Sequence, residues 1–304
     1  MKNKEDKILV IYDSIDYFIP FMKSDRVDVV RLYEKKGVLS TLLKKIYIYF
    51  GWFNKAWYGD WITDVKKYSK VIIFATKDYS IIKHLGLETN ADIYFWYWNP
   101  AFRMGVPKKQ LFKMAEVWSF DPIDCERYNL RFNTTFFFRN IVIPSSPSDF
   151  DVFFLGINKG RRAALDNLND EFIKRGLKTY FYIVPDKNEK QQIKNKPIPY
   201  QAYLSLLSKS RAILDLQPDG QSGLTLRPME SLFLKKKLIT NNLEICNEAF
   251  YSKDNIFIIG RDSFDDLFDF ISSDYKEISE DIVSEFDFNN WLERFDLKEG
   301  NSNV

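Results

Sequence analysis

Residues 211–242 constrain the fold more than any other part of the chain. Their sequence reads RAILDLQPDGQSGLTLRPMESLFLKKKLITNN. An apolar strand, a polar loop with glycine, a short helix and a second apolar strand follow in that order, which is typical of a βαβ unit. Parallel strands joined by a helix are buried on both faces of their sheet. The segment therefore predicts a parallel sheet covered by helices.

The same alternation of strands and helices runs through the whole chain. In the first half, strands are predicted at 8–12, 71–75, 93–98, 117–120 and 135–138. In the second half, they are predicted at 152–155, 180–184, 212–216, 237–240 and 256–259. This pattern indicates the α/β class, with two Rossmann-like domains that face a cleft.

The length of the chain also favours two domains. Its 304 residues exceed the roughly 250–300 at which a single core stops growing. The break is placed in the segment IVIPSSPSDFD, residues 141–151, where prolines and serines stop regular structure. We predict domains over 1–145 and 146–285, followed by a C-terminal helix within 286–304. A polar stretch at 185–200 is predicted to be a surface loop before a helix.

Composition argues against several classes of protein. The 44 Lys and Arg residues and 42 Asp and Glu residues leave a net charge of +2, which provides no general field for nucleic acid. Cys125 and Cys246 form no cluster with each other or with histidine, so neither a disulfide scaffold nor a zinc site is expected. Asp13 interrupts the short apolar run at the N-terminus, and no segment has the ~18 apolar residues of a membrane span. The sequence predicts a cytoplasmic location.

The loop and helix within 211–242 form the first candidate site. Free amides at a helix N-terminus attract anions, and an arginine beside them can bind a phosphate through two hydrogen bonds. Arg227 lies at the start of the predicted helix, and Glu230 follows one turn later, where its carboxylate would accept hydrogen bonds from ribose hydroxyls. The loop residues predicted to contribute are Gln221, Ser222, Gly223, Leu224 and Thr225. The alternative is a surface ion pair between Arg227 and Glu230.

A second candidate loop, GINKGRR at 156–162, follows the first strand of the C-terminal half. Ligands bind beyond the carboxyl ends of parallel strands, so this loop and the 217–225 loop are expected to flank one ligand. The cations Lys159, Arg161 and Arg227, with helix amides, could stabilise a leaving diphosphate without a metal. The alternative for 159–162 is a solvated basic helix start.

The chain resembles GT-B-fold glycosyltransferases, in particular bacterial enzymes that build lipopolysaccharide or capsule. The resemblance rests on KGR at 159–161, ILD at 213–215, the pattern Q-GLT-R--E-L---KKLITNN at 221–242, and SFDPID upstream. It implies transfer of a sugar from a nucleotide diphosphate donor, bound by domain 146–285, to an acceptor bound by domain 1–145.

The resemblance also implies roles for individual residues. Lys159 and Arg161 would contact the donor phosphates, Glu230 would bind the donor ribose, and the last helix would cross back onto the first domain. Many retaining members carry two glutamates eight positions apart here, whereas the first of these positions is Ser222 in this chain. Retention and inversion therefore both stay open.

Asp13 is the candidate catalytic base, because it ends the first predicted strand and could take a proton from an acceptor hydroxyl. The alternative is a capping or turn aspartate. The sequence Asp149-Phe150-Asp151 matches a DxD metal motif formally, but it precedes a strand, so no metal site and no cofactor are predicted. Asp121 and Asp124 are predicted to cap a helix, and His84 is predicted to be structural.

Residues 35–61 combine lysines with Leu, Ile, Tyr, Phe and Trp, which predicts an amphipathic surface helix. Such a helix could lie on the inner face of the cell membrane and approach a lipid-linked glycan acceptor. The alternative is a core helix with a solvated lysine face. The predicted function is glycosyl transfer to a cell-surface polysaccharide or lipopolysaccharide. The alternatives are a nucleotide-sugar epimerase and a non-catalytic subunit that binds nucleotide sugars or membranes.

Overall fold

The computed structural model describes residues 7–34, 37–186, 195–218 and 220–296. The chain divides into two compact units. Unit 1 comprises Met1–Thr134 and Phe295–Val304, and unit 2 comprises Thr135–Arg294. The division precedes the predicted linker at 141–151, whose residues 141–149 contain neither helix nor strand. Each unit contains a parallel sheet with helices, so the α/β class is confirmed.

The described part of unit 1 is built on a six-stranded parallel sheet with the order β2-β1-β3-β4-β5-β6. The strands are β1 (Ile8–Ile11), β2 (Val27–Val30), β3 (Lys70–Phe74), β4 (Asp92–Tyr97), β5 (Glu116–Ser119) and β6 (Arg131–Phe132). The helices are α1 (Ile19–Met22), α2 (Val38–Phe50), α3 (Tyr79–Glu88), α4 (Ala101–Met104) and α5 (Pro122–Tyr128). Because β2 and β3 lie on opposite sides of β1, the carboxyl ends of β1 and β3 form a switch point where ligands can bind.

The described part of unit 2 contains a five-stranded parallel sheet with the order β11-β10-β9-β7-β8. The strands are β7 (Phe150–Ile157), β8 (Thr179–Val184), β9 (Ser210–Asp215), β10 (Lys237–Thr240) and β11 (Ile256–Ile258). The helices are α6 (Arg162–Lys174), α7 (Tyr200–Leu207), α8 (Leu226–Leu234), α9 (Leu267–Ser272), α10 (Glu280–Glu285) and α11 (Phe288–Glu293). The chain moves from β7 to β8 on one side and returns to β9 on the other, which places a switch point between β7 and β9.

The predicted βαβ unit is confirmed as β9, α8 and β10. β9 and β10 are parallel neighbours, with Lys237 opposite Ala212. Ile213, Leu214, Leu238 and Ile239 are buried, as expected for strands covered on both faces. This packing fixes the β9–α8 loop at the carboxyl edge of the sheet, meaning the edge at which its strands end.

The sequence did not predict β2 or the two-residue strand β6, and one predicted strand does not form. β2 was missed because only alternate residues of VDVV are buried, so it lacks the long apolar run of the other strands. Residues 135–138 were predicted as a strand but form only an isolated bridge between Phe137 and Asp287. These residues are apolar because they pack against other aromatic side chains. The centroid of the Phe136 ring lies 4.6 Å from that of Trp291 and 5.1 Å from that of Phe288.

The helix predicted within 35–61 is shorter than expected. α2 ends at Phe50 because Gly51 adopts a left-handed conformation, with φ of 69°, and caps the helix. Short 3-10 turns follow it, and residues 35–36 lie outside the described part of the chain. Among the residues that the structure describes, no helix has both the length and the apolarity to cross a bilayer.

The end of the described chain belongs to unit 1. The ring of Phe295 lies 4.9 Å from that of Trp118, and Asp296 Oδ1 lies 2.5 Å from Lys70 Nζ. Lys70 begins β3 and is buried, so the ion pair fixes this segment at the edge where the strands of unit 1 begin. Residues 297–304 lie outside the described part of the chain.

Candidate functional site

The loop after β7 carries two backbone amides that hold a carboxylate. The N–H of Lys159 donates to Asp186 Oδ1, and the N–H of Gly160 donates to Asp186 Oδ2, both at 3.1 Å. Both loop residues have positive φ, 49° and 79°. Successive amides that point at one anion form a nest, so we call these two N–H groups the amide nest. Asp186 follows β8 at the same edge of the sheet, and sequence reasoning missed it because its partners are 26 and 27 positions away.

Arg161, predicted to contact phosphate, joins the loops that follow β7 and β9. Its guanidinium is buried and donates to the carbonyl of Ile157 at 2.8 Å, to that of Asn158 at 3.1 Å and to that of Leu216. These bonds hold together the two loops that were expected to flank a ligand. Arg161 therefore acts as a brace: it holds the loops after β7 and β9 together at the switch point.

Arg227 lies across β7. Its Nη2 donates to the Leu155 carbonyl at 2.8 Å, and its guanidinium carbon lies 4.9 Å from the centroid of the Phe154 ring. Gly156 provides the space, because a Cβ added there would lie 2.5 Å from Arg227 Nη2. The nearest acid is Asp215, whose Oδ1 lies 3.7 Å from Nη1. Arg227 thus pairs with the end of β9 instead of forming the alternative surface pair with Glu230.

Asp215, the last residue of β9, lies at the centre of this group. Its Oδ1 accepts a hydrogen bond from the Thr225 hydroxyl at 2.9 Å. Burial raises the pKa of the Asp215 carboxyl, and the charges of Arg227, Arg161 and Lys159 oppose that rise. Lys159, Arg161, Thr225 and Arg227 therefore act on one buried acid that the sequence did not single out. The signal in the sequence was its position at the end of β9, the first strand of the βαβ unit.

The remaining loop residues are positioned mainly through their backbones. Thr225 caps α8, because its Oγ1 accepts from the N–H of Arg227 at 3.2 Å. The Gly223 carbonyl accepts from the Gln217 side chain at 3.1 Å, and the Leu224 carbonyl accepts from the Thr135 hydroxyl at 2.7 Å. Gln221 and Ser222 are half-buried. The loop is thus held at the carboxyl edge by its own carbonyls.

Glu230 is only 1% exposed, and two tyrosines bind its carboxylate. The Tyr200 hydroxyl donates to Oε1 at 2.5 Å, and the Tyr203 hydroxyl donates to Oε2. Burial raises the pKa of Glu230 to about 7, against the opposing effects of the two tyrosine hydrogen bonds and Arg227. Sequence reasoning missed both tyrosines, although their spacing of three places them on one face of α7. Because Glu230 is buried, a ribose can reach its carboxylate only if the surrounding side chains move.

Unit 1 carries a separate cavity at the carboxyl edge of its own sheet. It has a volume of about 440 Å³ and is lined partly by Asp13, Tyr33, Thr76, Trp98 and Asn99. These residues follow β1, β2, β3 and β4 in turn, so the cavity lies at the switch point of the sheet. Aromatic walls with a few polar groups are typical of small-molecule sites.

Asp13 is the carboxylate in this cavity. It accepts a hydrogen bond from the N–H of Leu32 at 3.2 Å. Burial raises the pKa of Asp13, and this hydrogen bond and the charges of Arg31 and Lys44 oppose the rise. Lys44 extends from α2, and its Nζ lies 3.6 Å from the centroid of the Tyr33 ring. A carboxyl with a raised pKa inside a cavity is a candidate general base.

A buried hydrogen-bond network supports the wall of the cavity. The hydroxyls of Tyr33 and Tyr58 both donate to Asp78 Oδ2, at 2.7 Å and 2.6 Å. Asp78 Oδ1 accepts from the Ser80 hydroxyl at 2.6 Å and caps α3. Since Tyr33 lines the cavity, this network holds one of its walls in place.

The other residues singled out in the sequence have structural contacts. Asp121 caps α5, as predicted, whereas Asp124 accepts from the N–H of Ala101 at 2.6 Å. The His84 ring stacks on Phe53 at 4.0 Å. Asp149 pairs with Lys209, and Asp151 accepts from the N–H of Lys178 at 2.8 Å. Within the described ranges, no group of three or more His, Cys, Asp or Glu residues is arranged to hold a metal ion.

Comparison with known proteins adds no relative to this description. No protein-family model matches the chain, and a search of curated proteins also finds no match. The donor-binding roles of residues in unit 2 and the catalytic role of Asp13 stay predictions.

Proposed function

We propose that the chain is a GT-B-type glycosyltransferase that transfers a sugar from a nucleotide diphosphate donor to a cell-surface polysaccharide or lipopolysaccharide acceptor. Unit 2 would bind the donor, and unit 1 would bind the acceptor. The proposal requires neither a metal nor a further cofactor.

The observation that supports the donor site best is the amide nest. A carboxylate already lies on it, and phosphate oxygens have the same charge and accept the same N–H donors. The nest lies just before α6 at the switch point of the sheet, where α/β folds place their ligands. A donor phosphate would replace Asp186 there, beside the exposed side chain of Lys159.

The proposed chemistry is the stabilisation of the departing nucleoside diphosphate. The amide nest and Lys159 would balance the negative charge that grows as the bond to the sugar breaks. Arg161 and Arg227, held by backbone carbonyls, would keep the two loops fixed, and Arg227 would add positive charge. Glu230 would accept from the ribose hydroxyls once movement of the surrounding side chains has opened access to its carboxylate.

The proposed acceptor site is the cavity of unit 1. Trp98 and Tyr33 offer aromatic surfaces for a sugar ring, and Asp13 would take the proton from the attacking hydroxyl. The raised pKa of Asp13 makes the carboxylate a stronger base, and a general base works best when its pKa lies near the working pH.

The test is a thermal-shift screen against nucleoside diphosphates and their sugar conjugates, because a ligand that binds the folded state raises its melting temperature. We expect one nucleotide to shift the wild type. Asp186→Asn should bind it more tightly, by roughly tenfold, because the competing carboxylate loses its charge. Lys159→Ala should bind it more weakly.

A matched control is Asp166→Asn, which removes an acid from a surface ion pair with Arg162 on α6. It should leave nucleotide affinity unchanged. A complete lack of response to every nucleotide, or equal effects of Asp186→Asn and Asp166→Asn, would contradict the proposed donor site.

A further inference from the structure

α2 is a helix whose outward side is almost entirely apolar. Among the described residues of unit 1, it presents seven large apolar side chains to solvent: Val38, Leu39, Leu42, Leu43, Ile46, Tyr49 and Phe50. Exposure reaches 90% at Val38, 74% at Leu39 and 84% at Tyr49, and no residue of the helix is buried. We call these seven side chains the apolar arc.

The apolar arc is continuous around the helix. At about 100° per residue, its members fall within roughly 140° of the helix circumference. The inward side is formed by other residues: Ser40, whose hydroxyl accepts from Trp57 Nε1 at 3.1 Å, and Tyr47, whose ring lies 4.7 Å from that of Trp57. The helix is therefore attached to unit 1 through one side and exposes the other as a convex ridge.

The charged side chains within α2 are of one sign. The sequence of α2, VLSTLLKKIYIYF, contains two lysines and no acid. Lys45 is exposed at the border of the apolar arc, and Lys55 is exposed in the segment that follows. A helix with a basic border and an apolar face fits the interface of an anionic bilayer.

The end of the helix adds interfacial aromatic residues. The rings of Phe50 and Trp52 stack at 4.9 Å, and both are more than half exposed. Tyr49 contacts Phe50 edge-on at 5.2 Å. Trp and Tyr concentrate at the level of lipid headgroups, where one part of the ring is apolar and the other remains hydrated.

We propose that α2 binds an anionic lipid surface, with the apolar arc inserted among the acyl chains and Lys45 among the headgroups. With 13 residues, the helix has the length to lie in the interface but not to span it. A convex apolar ridge bordered by cations matches a deformable anionic phase, whereas a protein partner would need a complementary groove.

The same helix contacts the cavity of unit 1. Lys44 lies on its inward side, and its Nζ is above the ring of Tyr33, which lines the cavity. A lipid-bound α2 would therefore place the cavity wall close to the membrane surface. Provided that the proposed function holds, the acceptor is then lipid-linked.

The test is flotation of the full chain with vesicles of phosphatidylcholine alone and with added phosphatidylglycerol, in the absence of nucleotide. The wild type should bind the anionic vesicles. The double variant Leu42→Glu, Ile46→Glu should bind roughly a hundredfold more weakly, because two apolar side chains no longer enter the bilayer. Lys45→Ala should weaken binding roughly fivefold on the anionic vesicles alone.

Leu87→Glu is the matched control, because Leu87 is an equally apolar side chain, 76% exposed, on α3. It should bind vesicles like the wild type, and circular dichroism should find every variant folded. Equal flotation of the double variant and the wild type would overturn the proposal. So would a dimer, measured by light scattering, that binds no vesicles and dissociates in the double variant. Because the assay contains no nucleotide, its failure would leave the proposed donor site intact.

Discussion

Replacing Glu230 with glutamine should remove most of the pH dependence that this residue gives to stability. The carboxyl is fully buried between two tyrosine hydroxyls, and its pKa is raised from 4.5 to about 7. The folded protein therefore binds this proton more tightly than the unfolded chain does. The stabilisation is complete below pH 4.5 and is lost as the pH rises through about 7.

The size of the effect follows from the shift. At roughly 1.4 kcal/mol per pKa unit, a rise from 4.5 to about 7 corresponds to about 3 kcal/mol, most of which is lost between pH 5 and pH 8. In Glu230→Gln, an amide that does not titrate replaces the acid. Its oxygen can accept from one tyrosine, and its NH2 group can donate to the other.

The assay is urea unfolding of wild type and Glu230→Gln at pH 5 and pH 8, followed by circular dichroism. The difference in unfolding free energy between the two proteins should change by about 2–3 kcal/mol, with the variant relatively more stable at pH 8. Tyr203→Phe, which keeps the acid, should retain the pH dependence. Parallel stability curves for wild type and Glu230→Gln would refute the reasoning, because they would mean that Glu230 titrates alike in the folded and unfolded states.

Three further predictions concern other residues. Gly156→Ala should lower the unfolding free energy measured in urea by about 1–3 kcal/mol, because the added Cβ displaces Arg227 from the Leu155 carbonyl. Gly86→Ala is the control: it has open space around it and should be neutral or slightly stabilising. Arg161→Ala should destabilise by about 3 kcal/mol in the same assay, because three backbone carbonyls lose a charged donor; a loss under 1 kcal/mol would contradict its role as a brace. Asp13→Asn should lower the rate of sugar transfer by roughly 10²–10⁴-fold and leave nucleotide affinity unchanged. In the wild type, the acid limb of the pH–rate profile should lie above the ordinary aspartate pKa of 3.8. Turnover of the variant close to that of the wild type would exclude Asp13 as the base.

The fold was predictable where local sequence determines structure. The apolar runs of β9 and β10, with the capped helix α8 between them, identify a βαβ unit without knowledge of other contacts. β2 was not predictable in this way, because an edge strand with alternating burial resembles a loop segment. The apolar run 135–138 misled the strand prediction, because its side chains pack on α11, a helix distant in sequence.

The candidate site was less predictable than the fold, because its side chains are positioned by residues distant in sequence. The resemblance and the loop position predicted Lys159 and Arg227 as site residues, but a sequence motif does not state which way a side chain points. The Leu155 carbonyl that binds Arg227 and the tyrosines that bind Glu230 come from other elements of the fold. The positions of Asp186 and Asp215 at the site could not be predicted from the sequence, because they depend on the parallel sheet, which brings the ends of β8 and β9 to the same edge as the amide nest.

The most direct test of the proposed donor site is hydrogen–deuterium exchange of the full chain with and without the nucleoside diphosphate that stabilises it most. Nucleotide should slow the exchange of the amides at 159–161 and 221–227 and leave exchange in the strands of unit 1 unchanged. Asp186→Asn should show the same pattern at lower nucleotide concentration. Protection confined to other segments, or none at saturating nucleotide, would contradict the claim that the carboxyl edge of unit 2 binds a diphosphate.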